Sequence, residues 1–168
     1  PPMRIRIENA DLFDGLGDEV QRGMHVLVAD GRIAEVSETA IAATAEMVID
    51  GTGRTLMPGL IDAHVHIAAA TPDLGALERL SPTYVTHWAA GALSAMLDRG
   101  FTTVRDVGGG DAGTRRALEQ GLIRGPRLFT SGKALGQTGG HTDYRGRGMG
   151  DVGDAQRRFL PGLGRIVD

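Results

Sequence analysis

From Pro58 onward the sequence alternates strand patterns with helix patterns, and that alternation constrains the fold more than any other feature. Residues 60–67 form a short apolar run introduced by the turn Met57-Pro58-Gly59. Ser81-Pro82 then opens a helical stretch over residues 83–99, with Ser as N-cap and Pro at the first helical position. Val85, Trp88, Ala92 and Met96 mark its expected inward stripe, and Gly100 stands where a helix-terminating glycine belongs. A β-branched run at 101–107 follows, then Gly108-Gly109-Gly110, a short helix capped by Asp111 and closed by Gly121, and a third strand at 127–131. This is the order of successive βαβ units on a parallel sheet, with right-handed crossovers. Residues 1–57 read differently. Met3, Ile5 and Ile7 alternate with charged residues, as do the apolar positions at 24–28 and 33–36, and Asp30-Gly31 marks a hairpin between the latter two. They predict a small module of short antiparallel strands.

Chemistry in parallel α/β sheets collects at the carboxyl ends of the strands. Here those ends carry His64 and His66 on the first strand, Arg105 and Asp106 on the second, and a Gly-rich segment with His141 after the third. They are expected to converge. His64 and His66 lie at i and i+2, the spacing that puts two strand side chains on one face. Paired neutral imidazoles are ligands for zinc and similar metals, and a metal at a sheet mouth turns water into a nucleophile near neutral pH. The bland alternative is a polar pair on a solvated edge strand. The run is apolar on both faces, which predicts a buried strand and favours a site. Asp62 is read as sharing the histidines' face, as an acceptor for an imidazole.

Composition narrows the chemistry. There is no cysteine, so any metal must use His, Asp, Glu or a modified lysine. The net charge of −3 gives no general attraction to nucleic acid or an anionic membrane, and no apolar run is long enough to span a bilayer. Neither nucleic acid nor membrane is therefore expected as a partner, and the lack of cysteine and of a signal-peptide pattern suits a cytoplasmic enzyme.

Pro58-Gly59-Leu60-Ile61-Asp62-Ala63-His64-Val65-His66 resembles the metal-binding signature of the amidohydrolase superfamily. Gly100-Phe101-Thr102-Thr103-Val104-Arg105-Asp106 and Gly139-Gly140-His141-Thr142-Asp143 are similar to its imidazolonepropionase-like and Xaa-Pro dipeptidase-like branch. The resemblance implies an α/β fold: residues 1–57 as the N-terminal part of a small β-sandwich domain, and residues 58–168 as the first three strands of a (β/α)8 TIM barrel. Such a barrel takes about 250 residues, so the 168 residues are expected to be part of a longer enzyme, with the rest of the barrel as their partner. The resemblance makes His64 and His66 metal ligands, with zinc, in two divalent ions, as the cofactor. It makes His141 a substrate-binding residue, oriented by Asp143. A carboxylated lysine, further histidines and an aspartate base are expected beyond residue 168. Lys133 is read as a loop cation rather than the bridging lysine, and Arg145, Arg147, Arg157 and Arg158 as solvated charges rather than a carboxylate site. Asp106 is read as an internal hydrogen-bonding or ion-pairing group, and Gly108-Gly109-Gly110 as a plain connection.

The implied function is hydrolysis of a carboxamide or peptide bond by a metal-activated hydroxide. The substrate is a dipeptide such as Xaa-Pro or an N-acyl amino acid, and a homo-oligomer is expected. The alternatives are a cyclic amide hydrolase or deaminase of the imidazolonepropionase type, and a non-catalytic barrel fragment serving as a binding or structural partner.

Overall fold

The computed structural model describes residues 3–77 and 79–132, with backbone alone at 74 and 75, and two further short strands at 135–136 and 164–165. The chain divides into two compact units, Pro1–Pro58 and Gly59–Asp168. In the first unit, β1 (Ile5–Leu12), β2 (Gln21–Ala29), β3 (Arg32–Ser37), β4 (Met47–Asp50) and β5 (Thr55–Leu56) form one sheet. The strand order is β3-β2-β1-β4, and β5 also pairs with β1. The β2–β3 hairpin turns at Asp30 and Gly31, with φ of 55° and 71°, the left-handed pair that a two-residue turn matching strand twist requires. Not every strand is antiparallel, as the alternation pattern suggested: β4 and β5 both run parallel to β1. After β3 the chain crosses back to the far side of β1 instead of turning tightly beside β3, and a crossover of that kind delivers a parallel strand.

The second unit holds the parallel sheet. β6 (Leu60–Val65), β7 (Phe101–Asp106) and β8 (Arg127–Thr130) lie in the order β6-β7-β8, all parallel. The one-turn helix α1 (Leu74–Leu77) follows β6, α2 (Pro82–Asp98) joins β6 to β7, and α3 (Ala112–Glu119) joins β7 to β8. Ser81 caps α2 by accepting from the Tyr84 amide at 3.2 Å, and Asp111 caps α3 by accepting from the Thr114 amide at 2.8 Å. Gly100, at φ 91°, ends α2 in the left-handed conformation that Gly adopts without a Cβ penalty.

One face of this sheet is covered. Val65, Ile67, Val104 and Leu128 pack with Ala89 and Leu93 of α2, and Met96, Phe101, Leu118 and Ile123 close the cluster. Met96 faces inward as expected, but Ala89 and Leu93 take the places expected of Trp88 and Ala92, and Trp88 stays exposed. Leu93 is fully buried. Leu93→Ala is expected to cost about 2–5 kcal/mol in chemical denaturation, through lost transfer energy and the cavity left against Val104 and Leu128. The opposite face is open among the described residues. Ile61 is 71% and Phe129 53% exposed. Among the described residues β6 lies at the sheet's edge, and only Val65 of its six residues is buried.

Candidate metal centre

The two histidines stand at the carboxyl end of β6, where the strand departs from regular pairing. Asp62 lies opposite Val104 and Val65 opposite Asp106, so β6 spends three steps where β7 spends two. The extra residue is a bulge, a device that bends a strand and re-aims its side chains. Within it the Ala63 carbonyl accepts from Arg105 Nε at 2.8 Å. The bulge interrupts the alternation on which the reading of Asp62 rested. Its carboxylate accepts from the backbone amide of His64 at 3.0 Å rather than from an imidazole. Asp62 shapes the bulge.

Beyond the bulge the two rings meet. The His64 and His66 ring centroids are 5.3 Å apart, with the planes at 75° to each other. Both residues are exposed. His66 Nδ1 lies 2.9 Å from the Gly108 carbonyl oxygen. A carbonyl only accepts, so Nδ1 carries the proton and the Nε2 lone pair is left for another partner. Orientation of an imidazole through a backbone carbonyl is how metal-binding histidines are commonly fixed. The donor set suits a soft-to-borderline divalent cation, which takes imidazole nitrogen readily. Among the described residues no group of three or more His, Asp or Glu side chains gathers in a ligand cluster, so the pair makes up part of a coordination shell.

The carboxyl ends of the three strands converge around Asp106, which is fully buried. One carboxylate oxygen accepts from the Ile67 amide at 2.7 Å, and the other accepts from the amides of Gly108 at 2.9 Å and Gly110 at 2.8 Å. The Asp106 carbonyl accepts from the Ser131 amide at 3.1 Å, and the Gly109 amide donates to the Gly132 carbonyl at 3.2 Å. Three charge-assisted bonds offset much of the cost of burying the carboxylate, which has no ion-pair partner among the described residues. Gly108-Gly109-Gly110 is therefore more than a connection: two of its amides close on Asp106 and one of its carbonyls meets His66. A run of glycines directly after a strand-ending aspartate was the available signal, since glycine lets backbone amides crowd one carboxylate. A Cβ at Gly110 would stand 3.0 Å from both Asp106 Cγ and Ile67 Cδ1.

Of the other candidates, His25 belongs to β2, where its Nδ1 is buried and has no hydrogen-bond partner. His87 is an exposed residue of α2. His141, Asp143, Lys133, Arg145, Arg147, Arg157 and Arg158 lie outside the described residues. No described helix is long and apolar enough to cross a membrane.

Residues 55–160 match the sequence profile of the amidohydrolase family. Among characterised relatives, ochratoxinase of Aspergillus niger is 36% identical over 103 residues, which are 58% of this chain and 21% of that protein. A 5'-deoxyadenosine deaminase of Methanothermobacter thermautotrophicus is 44% identical over 64 residues, 38% of this chain and 14% of the relative. Among solved structures, a prolidase in complex with N-methylphosphonate-L-proline superposes with a TM-score of 0.85 at 36% identity, covering 95% of this chain and 40% of the prolidase. An Xaa-Pro dipeptidase with methionine bound in its active site gives 0.74 at 25% identity, covering 96% and 46%. The chain thus spans less than half the length of each of these proteins.

Proposed function

The chain belongs to the amidohydrolase family, and from that premise we propose that it supplies the first metal-ligating strand of an enzyme that hydrolyses a carboxamide or peptide bond. In this reading β6, β7 and β8 are the opening strands of a (β/α)8 barrel, residues 1–57 are part of a small β-sandwich domain, and residues 58–168 are the first βα units of the barrel. The observation that carries the proposal is the pairing of His66 with His64, with the Nδ1 proton of His66 held by the Gly108 carbonyl and Nε2 left as a donor. His64 and His66 would hold a divalent cation, zinc by preference. When bound, that ion supplies Lewis acidity toward the scissile carbonyl and lowers the pKa of water at the site. The chain's own contribution is placement. The bulge turns the rings together, and the Gly108 carbonyl fixes the tautomer of His66. His141 is assigned to substrate binding through a hydrogen bond to the carbonyl under attack.

For substrate, we favour a dipeptide of the Xaa-Pro kind or an N-acyl amino acid. The prolidase and Xaa-Pro dipeptidase are structural neighbours over nearly the whole chain, and ochratoxinase is a relative by sequence over 58% of it. The deaminase, more identical over a shorter stretch, supports a second reading in which the bond cleaved is the C–N bond of an amino-heterocycle. A panel of Xaa-Pro dipeptides, N-acyl amino acids and aminopurines, assayed on the intact protein, separates the two. Turnover confined to aminopurines would reject the first reading, and no hydrolysis in any class would leave the chain a non-catalytic member of its family. Dialysis against a strong chelator is expected to abolish hydrolysis, and added Zn²⁺ to restore it. Turnover that survives chelation with no metal detected in the protein rejects the metal assignment.

A further inference from the structure

We infer that Asp106 is a positioning residue for the metal centre: from inside the sheet its carboxylate sets both the tautomer and the aim of His66. The inference rests on the proposal that His66 binds metal, but its geometry is independent of any bound ion. His66 is held at two points, and Asp106 stands behind both. Its ring donates to the Gly108 carbonyl, and its backbone is fixed at the next residue, where the Ile67 amide donates to Asp106. Gly108 in turn is tied by its own amide to the other Asp106 oxygen, with Gly110 bound to the same atom. The peptide joining Gly108 to Gly109 is anchored at both ends, its carbonyl on His66 and its amide on the Gly132 carbonyl. One fully buried carboxylate thereby holds the carbonyl that reads the ring and the strand end that carries it.

A carboxylate is suited to this because it accepts on both oxygens and donates on neither. The amide group of Asn keeps one accepting oxygen for Gly108 and Gly110, but turns an NH2 toward the Ile67 amide. Ala removes every acceptor. The order expected for control of His66 is therefore Asp, then Asn, then Ala. Gly110→Ala perturbs the same point from the other side, since its Cβ would press on Asp106 Cγ and Ile67 Cδ1 at 3.0 Å. Without the Gly108 carbonyl in place, the Nδ1 proton of His66 loses its acceptor and the Nε2–H tautomer gains population, which removes the lone pair that faces outward.

The test uses the intact protein and two readouts. Zn²⁺ affinity is measured by competition with a chromogenic chelator. The tautomer of His66 is read in metal-free protein from long-range ¹H–¹⁵N correlations at alkaline pH. Wild type is expected to show Nδ1–H. Asp106→Asn and Gly110→Ala are expected to weaken Zn²⁺ binding about tenfold and Asp106→Ala about a hundredfold, each with admixture of Nε2–H. Leu93→Ala, a destabilising change in the same unit that touches none of these bonds, is expected to leave the tautomer as in wild type. Should Asp106→Ala fail to fold, Asp106→Asn and Gly110→Ala carry the test. Wild-type tautomer together with Zn²⁺ affinity within about twofold in those two variants overturns the inference. So does an equal tautomer change in Leu93→Ala, which would reduce Asp106 to a stabilising residue. Failure of the underlying site reading looks different: His66→Ala would leave Zn²⁺ affinity unchanged, and the tautomer readout alone would then decide the role of Asp106.

Discussion

His66→Ala is expected to lower kcat/KM by at least about 10³-fold while leaving the metal-free fold nearly as stable as metal-free wild type. The two halves of that expectation have separate causes. Loss of a ligand from a divalent cation forfeits several kcal/mol of transition-state stabilisation, and each 1.4 kcal/mol is tenfold in rate. The stability cost is small because the residue is exposed, so water replaces the ring as a partner for the Gly108 carbonyl. That replacement costs less than about 1 kcal/mol. His64→Ala is expected to behave alike, with the double variant no worse than about tenfold below either single one, since residues acting as one unit do not add. The measurement is steady-state kinetics on a panel substrate, paired with a denaturation curve and metal content by elemental analysis. If the histidines were a solvated polar pair on an edge strand, both variants would keep full activity and full metal content.

The fold of the second unit was legible because its signals are local. Ser81-Pro82 and Asp111 are caps whose chemistry acts within one helical turn, and both helices begin where those residues stand. The β-branched run at the second strand and the helix-terminating Gly100 are local in the same sense. Features that depend on distant pairing were not legible in either unit. The direction of β4 is set by which edge of β1 it joins, and nothing in Met47-Val48-Ile49-Asp50 encodes that choice. The inward stripe of α2 is set by the sheet beneath it, and an alanine-rich helix offers two stripes one residue apart.

The candidate site divides along the same line. The i, i+2 spacing of His64 and His66 was visible, and so was the polar ending of each strand. The bulge between Asp62 and Val65 was not, because a bulge is a mismatch with β7 and exists only once the two strands are in register. Alternation alone puts Asp62 with the two imidazoles, whereas its carboxylate accepts from the His64 amide. Asp106 was read as an internal hydrogen-bonding residue, which it is, but its three amide partners come from two separate loops. Their convergence is a property of the folded sheet and not of any segment of sequence.

Gly59→Ala is expected to be the most damaging single methyl among the described glycines of the second unit, costing about 3 kcal/mol. A Cβ at Gly59 would fall 2.2 Å from both Cγ2 and Oγ1 of Thr102 and 2.7 Å from Thr102 Cβ. Rotation of the Thr102 side chain relieves at most one of the first two contacts, because its two heavy atoms share three staggered sites. It does nothing for the third, because Cβ is fixed by the backbone. The overlap lies one residue before the Leu60 amide, which donates to the Gly100 carbonyl at 2.8 Å and starts the pairing of β6 with β7. Relief must therefore come from parting the two strands at their amino ends. Thr102→Ala leaves the Cβ overlap in place and is expected not to rescue, whereas Thr102→Gly removes it and is expected to recover most of the loss. A double-mutant cycle on urea midpoints measures this, and a coupling energy below about 0.5 kcal/mol between Gly59→Ala and Thr102→Gly contradicts it. The same variant bears on the proposed metal centre. β6 carries Gly59 just ahead of one end and His66 just past the other, so parting the strands at Gly59 disturbs the pairing with β7 on which the bulge before His66 depends. Zn²⁺ affinity in Gly59→Ala is expected to fall with stability and to return with Thr102→Gly, although neither residue touches a histidine.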